Sequence, residues 1–187
     1  MKRIIFFMFF VFILVGCTAT ETKDEAVIES SPNYRIVETD EPFVLRYEIL
    51  NNSGEVVKSF DTNRPAGLGL ISENVVGLWV NTGTGTSWGV FYSVEDDILS
   101  ETFDTPLMIT DERIGLLRWS DNGAVILIVR DIFDTEIYYN EFLLEDFSTT
   151  ANPIDALIQV EYIGDGELEV IYMSGQNFIE ITVIFVL

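Results

Sequence analysis

The chain has 187 residues, 31 acidic against 10 basic, for a formal charge of −21, and a surface so charged repels polyanions, which excludes nucleic acid as a partner. It holds no histidine and one cysteine, which removes Ser-His-Asp and Cys-His catalysis, imidazole-held zinc, thiolate metal clusters and an internal disulfide. A composition that is 48% hydrophobic and 13% aromatic supplies a packed core, and the length fits one domain.

The first element is a leader. Lys2 and Arg3 precede an apolar run from Ile4 to Val15, followed by Gly16 and Cys17. A short basic region, an apolar stretch of about a dozen residues and a small residue describe a secretory signal peptide. The run is shorter than the roughly 20 residues of a membrane span. Leu14-Val15-Gly16-Cys17 resembles the lipobox of bacterial lipoproteins. That resemblance implies that residues 1–16 are removed, that Cys17 becomes the first mature residue, and that its sulfur carries a diacylglyceryl group. Two acyl chains, at about 0.8 kcal/mol per buried methylene, hold a protein to a bilayer. The anchor would place the chain on the extracytoplasmic face of the cell membrane and leave no thiol for chemistry. The competing expectation is an uncleaved anchor helix or an ordinary signal peptide. Residues 18–33 are polar and acidic without a period, so residues 17–33 read as lipidated cysteine and flexible tether. Residues 34–187 read as a single all-β domain.

Strands follow. Phe43–Leu50 and Glu55–Phe60 flank the turn Asn51-Asn52-Ser53-Gly54 and read as the last two strands of a unit. Three segments then line up: GLGLISENVVGLWVN (67–81), RIGLLRWSDNGAVILIVRD (113–131) and ALIQVEYIGDGELEVIYMS (156–174). Each is a strand, a turn and a more apolar strand, with Asp121-Asn122-Gly123 and Gly164-Asp165-Gly166 supplying hairpin chemistry. Gly89–Val94, Ile137–Leu144 and Phe178–Leu187 continue the three units. Ile98–Phe103 and, more weakly, Asp146–Thr150 add a fourth strand to the first two. Pro65, Pro106 and Pro153 mark the boundaries.

A period of roughly 40–50 residues with four strands per unit is similar to the blade of a β-propeller. The lipobox followed by acidic strand repeats resembles uncharacterised propeller-like lipoproteins of Gram-positive bacteria, a resemblance that implies no activity. The expected fold is all-β, an antiparallel meander of propeller-like four-stranded units in an incomplete or open ring, with a β-sandwich as the alternative. The strand EITVIFVL (180–187) is apolar to its end, so it is either central or covered by a partner.

Alternating reversals send successive connections to opposite ends of a meander. Counting from the first strand of each unit puts short acidic turns at one end and longer loops, Asn81–Ser87 and Asp131–Glu136 among them, at the other. The longer set is the expected binding end. Within it, NTGTGTSWG (81–89) lacks the spacing and the following helix of a phosphate loop. Trp88 offers a ring for stacking on a sugar, against the commoner role of a core tryptophan. Asp131 and Asp134, with Glu136, offer oxygens to a ligand or Ca²⁺, although the twelve-residue Ca²⁺ pattern is absent. No catalytic motif stands out and no cofactor or metal is expected. The expected function is a binding or scaffolding module. The alternatives are a carbohydrate-active hydrolase using paired carboxylates, or a subunit of an envelope complex. The partners are the membrane, through the lipid, and a protein or a second copy, through a sheet edge.

Overall fold

The structure, a computed structural model, describes residues 25–121, 123–148 and 153–187. The leader, Cys17 and the first part of the expected tether lie outside the described residues, as do Asn122 and residues 149–152. The fold is all-β, as expected: the described residues form sixteen strands and one turn of 3-10 helix (Pro153–Ala156). The strands form four antiparallel sheets in chain order.

The first sheet is β1 (Val27–Ser31), β2 (Tyr34–Glu38), β3 (Leu45–Leu50) and β4 (Val56–Thr62). The second is β5 (Ala66–Leu70), β6 (Val75–Gly83), β7 (Thr86–Ser93) and β8 (Ile98–Leu99), with β9 (Phe103–Asp104) also pairing to β7. The third is β10 (Leu107–Met108), β11 (Arg113–Trp119), β12 (Val125–Asp131) and β13 (Tyr139–Leu144). The fourth has three strands, β14 (Leu157–Gly164), β15 (Glu167–Ser174) and β16 (Ile179–Val186).

Period-two alternation stacks these sheets face to face. On β6, Val76, Leu78 and Val80 point to the first sheet and meet Tyr47 and Ile49 of β3, together with Val90 and Tyr92 of β7. Val75, of the opposite parity, points the other way with Phe91, to Ile114 of β11 and to Ile132 just after β12. Strand β12 repeats the device: Val125, Leu127 and Val129 meet Leu168, Val170 and Tyr172 of β15. A sheet buried on both faces needs near-continuous apolar strands, and VVGLWV and VILIV are such strands. Each fully buried Leu, Ile or Phe contributes about 1.5–3 kcal/mol. Gly77 is required by a close approach: a Cβ there would lie 2.7 Å from the Trp79 ring, which folds back over it. The three core clusters join only successive sheets, so the array is an open succession.

Two expectations need correcting. The ordered body begins before residue 34, because 27–31 is a strand paired to β2 with Ser31 opposite Tyr34. Expected as the end of a tether, it completes a four-stranded first sheet. Four of its five residues are exposed, so no buried stripe marks it in the sequence. The third sheet is also shifted by one strand. Its fourth member is Leu107–Met108 at the front. The expected Asp146–Thr150 strand, of which 149 and 150 lie outside the described residues, is reduced to a single bridge from Phe147 to Ser174. The shift adds one reversal and so changes which loops meet.

Candidate functional site

The extra reversal brings Asp131–Glu136 to the same end as the short turns of the second sheet. Between the two sheets lies a cleft of about 560 Å³. Ser72, Glu73, Asn74, Glu95 and Asp96 line it from the second sheet, and Asp111, Glu112 and Asp131 from the third. The expected separation of short acidic turns from longer loops therefore fails. Gly123, Glu145 and Asp146 lie together at the opposite end, where the amide of Gly175 donates to the Asp146 carbonyl at 2.7 Å.

Val75, Phe133 and Ile137 give the cleft an apolar lining, and no Lys or Arg lines it. Its walls are tied by their own hydrogen bonds. Ser93 Oγ donates to Asp96 Oδ2 at 2.9 Å and Asn74 Nδ2 donates to Glu95 Oε2 at 3.4 Å. Just behind the wall, Tyr92 donates its hydroxyl to Asp97 Oδ1 at 2.7 Å. Burial pushes the Tyr92 hydroxyl up to about 12, and the hydrogen bond to Asp97 adds to the shift. Such a cleft suits a cationic group with an apolar portion.

Of the ligand residues expected from the sequence, Asp131 and Asp134 share one loop, and Trp88 lies apart from them. Asp131 sits in the cleft, but its Oδ1 accepts the amides of Phe133 and Asp134, both at 2.8 Å. Asp134 Oδ1 likewise accepts the Glu136 amide at 2.8 Å. These carboxylates shape the loop. Trp88 is half-buried between the first and second sheets and stands edge-on to Phe60, 4.8 Å between centroids. Five residues of extended strand separate it from Ser93, about 17 Å. Among the described residues no group of acidic side chains is arranged to hold a metal ion.

A second surface is the free edge of β16. Its register with β15 runs unbroken from Ser174 opposite Ile179 to Glu167 opposite Val186. The amide of Leu187 donates to the Gly166 carbonyl, so odd residues of β16 turn their backbone groups to β15. Glu180, Thr182, Ile184 and Val186 turn theirs to the open side. The side chains of Ile184 and Val186 are 53% and 71% exposed. Of the other edges, β5 and β13 also keep an unbroken register but are five and six residues long against eight, and the rest are blunted. Register shifts break β1, β4 and β14, and β8, β9 and β10 are two residues each. Such devices keep edges from pairing with other chains. Along β16 the one charge is Glu180, and there is no proline, lysine or bulge.

The charge around this edge is one-sided. No Lys or Arg occurs after Arg130. The outer face of the fourth sheet carries Glu161 directly opposite Glu169, with Ile184 beside Glu169 and Val186 beside Glu167. The sequence showed that β16 is apolar to its end. The pairing of two glutamates across strands needed the register.

No protein-family model matches the sequence, and no curated protein matches it. Among solved structures, the chain is similar to the 1.18 Å crystal structure of uncharacterized protein lmo1340 from Listeria monocytogenes EGD-e. That match has 16% identity and a TM-score of 0.27, over 82% of this chain and 63% of that one. The chain thus spans under two thirds of that protein's length, and the likeness is too distant to transfer fold or function.

Proposed function

We propose that this chain is a membrane-anchored extracytoplasmic lipoprotein, held by a lipidated Cys17, that acts as a binding or scaffolding module by adding a strand to β16. The lipobox residues Leu14-Val15-Gly16-Cys17 support the anchor. The observation that carries the binding reading is the edge itself: eight residues in unbroken register, the longest unbroken edge among the described residues, where β1, β4 and β14 carry bulges and β5 and β13 are shorter. Backbone groups there supply affinity to any extended segment, and side-chain pairing supplies selection. The experiment is fractionation of cells producing the full chain or its Cys17→Ser variant, with mass spectrometry of the N-terminus. The full chain partitions to the membrane with a diacylglyceryl-bearing residue 17, and the variant does not. Recovery of an intact residue 1 or an unmodified thiol in the full chain refutes the anchor.

A second reading, hydrolysis by a carboxylate pair, draws on the six carboxylates around the cleft. That chemistry needs two of them about 5–10 Å apart across a sugar. Glycan hydrolysis that survives Asp111→Asn, Glu112→Gln and Asp131→Asn in turn would refute it.

A further inference from the structure

Building on strand addition at β16, we infer that the segment it accepts is an extended strand of a basic partner protein, with Lys or Arg at alternate positions on the outer face. Position fixes the pattern. A strand laid along β16 in the pleat of the sheet pairs with the outward backbone groups of Glu180, Thr182, Ile184 and Val186. Its own alternate side chains fall into the outer-face rows. One row is Ile184, Glu169 and Glu161, and the next is Val186 and Glu167.

In the first row a lysine on the added strand lies beside Ile184. Its methylenes cover that exposed side chain, and its ammonium reaches on toward Glu169 and Glu161. In the second row the same geometry covers Val186 and reaches Glu167. A directly opposed glutamate pair is destabilising by itself, and no cation exists in the fourth sheet to relieve it. The partner supplies that cation. On the inner side the added strand sets apolar residues beside Ile181, Val183 and Phe185, which are only part-buried against the third sheet. A second copy of this chain fits the edge less well. It brings four further glutamates of its own fourth sheet, and a whole-chain charge of −21, to a surface already without cations.

The test uses the full chain in detergent and four fluorescent eight-residue peptides. One alternates lysine with valine, the second alternates glutamate with valine, the third alternates serine with valine, and the fourth is the lysine peptide N-methylated at alternate amides. The lysine peptide binds, and affinity falls with added salt. N-methylation, which removes donors without changing charge, lowers affinity at least tenfold. Thr182→Pro, at an outward amide of the edge, does the same and needs no loss of an internal bond. Glu161→Gln with Glu169→Gln lowers affinity severalfold and flattens the salt dependence.

If the methylated peptide binds as well as its parent, the attraction is only between net charges, and strand addition at β16 falls with the partner class. If the serine or glutamate peptide binds as tightly as the lysine peptide, strand addition stands and the basic partner falls. If no peptide binds, both fall. A dimer by light scattering that Thr182→Pro makes monomeric assigns the edge to a second copy and overturns the basic partner.

Discussion

The first and fourth sheets sit at the two ends of the stack, and each has one face that no other sheet covers. They treat that face in opposite ways. On the first sheet Arg35 pairs with Glu48, which is 5% exposed. Arg46 holds Asp61 and Glu25, each at 2.8 Å. The outer face thereby becomes polar, with two cations set among three carboxylates, and Val37 lies beneath it, buried. The fourth sheet has glutamates and exposed isoleucine and valine with no cation among them. The same meander thus produces one finished end and one unfinished end. Where charges are matched within the chain, the sheet needs nothing outside it. Where they are not, covering the face requires another molecule.

Mutations on the two sheets break or sharpen this contrast. Their inner faces should respond alike. Ile49→Ala in β3 and Leu168→Ala in β15, both 0% exposed, each lower stability by about 2–5 kcal/mol in urea unfolding. A loss at Leu168 far below that range would show the fourth sheet to be loosely docked. The outer faces should differ. Arg35→Ala leaves Glu48 without its partner and costs about 1–3 kcal/mol. Tyr47 and Tyr172 make a matched pair of buried tyrosines. Tyr172 donates to the Glu145 carbonyl at 3.0 Å, so Tyr172→Phe costs about 0.5–1.5 kcal/mol, and Tyr47→Phe costs less.

Burial raises both phenols, with Glu145 and Asp146 adding to the shift at Tyr172. The unfolded chain ionises first, near pH 10. The contribution of each tyrosine is therefore complete below that pH and is lost as pH climbs through the raised folded value. Either Phe variant should show a shallower alkaline decline in urea midpoint than the parent. The smallest effect has the opposite sign. Glu169→Gln relieves the pair with Glu161 and raises stability by about 0.2–1 kcal/mol, whereas Glu48→Gln on the first sheet lowers it.

Strong strands were readable because both faces of β6 and β12 are buried, and their composition says so. Weak ones were not. VIESS looks like tether because its pairing with β2 buries almost none of it. Leu107-Met108 is too short to show a period, and missing it misplaced the loops by one reversal. The cleft was hidden for that reason, since Glu95, Asp111 and Asp131 come from loops that the count had sent to different ends. Asp131 and Asp134 were legible as acidic loop residues. Their use in holding backbone amides depends on loop geometry, which composition does not record.

The entry point of the chain gives the molecule an up and a down. Ala26 accepts the amide of Glu38, and Glu25 is clamped beside Asp61 through Arg46. The chain therefore enters the body at the end of the first sheet where β2 finishes and β4 finishes. The Asn51–Gly54 turn is at the other end, where Asn52 reaches the Val94 carbonyl at 2.9 Å, next to the walls of the acidic cleft. With the lipid anchor proposed at Cys17, this entry end is the one tied toward the bilayer. The body would then be moored by its base, its carboxylate-lined mouth looking outward from the cell.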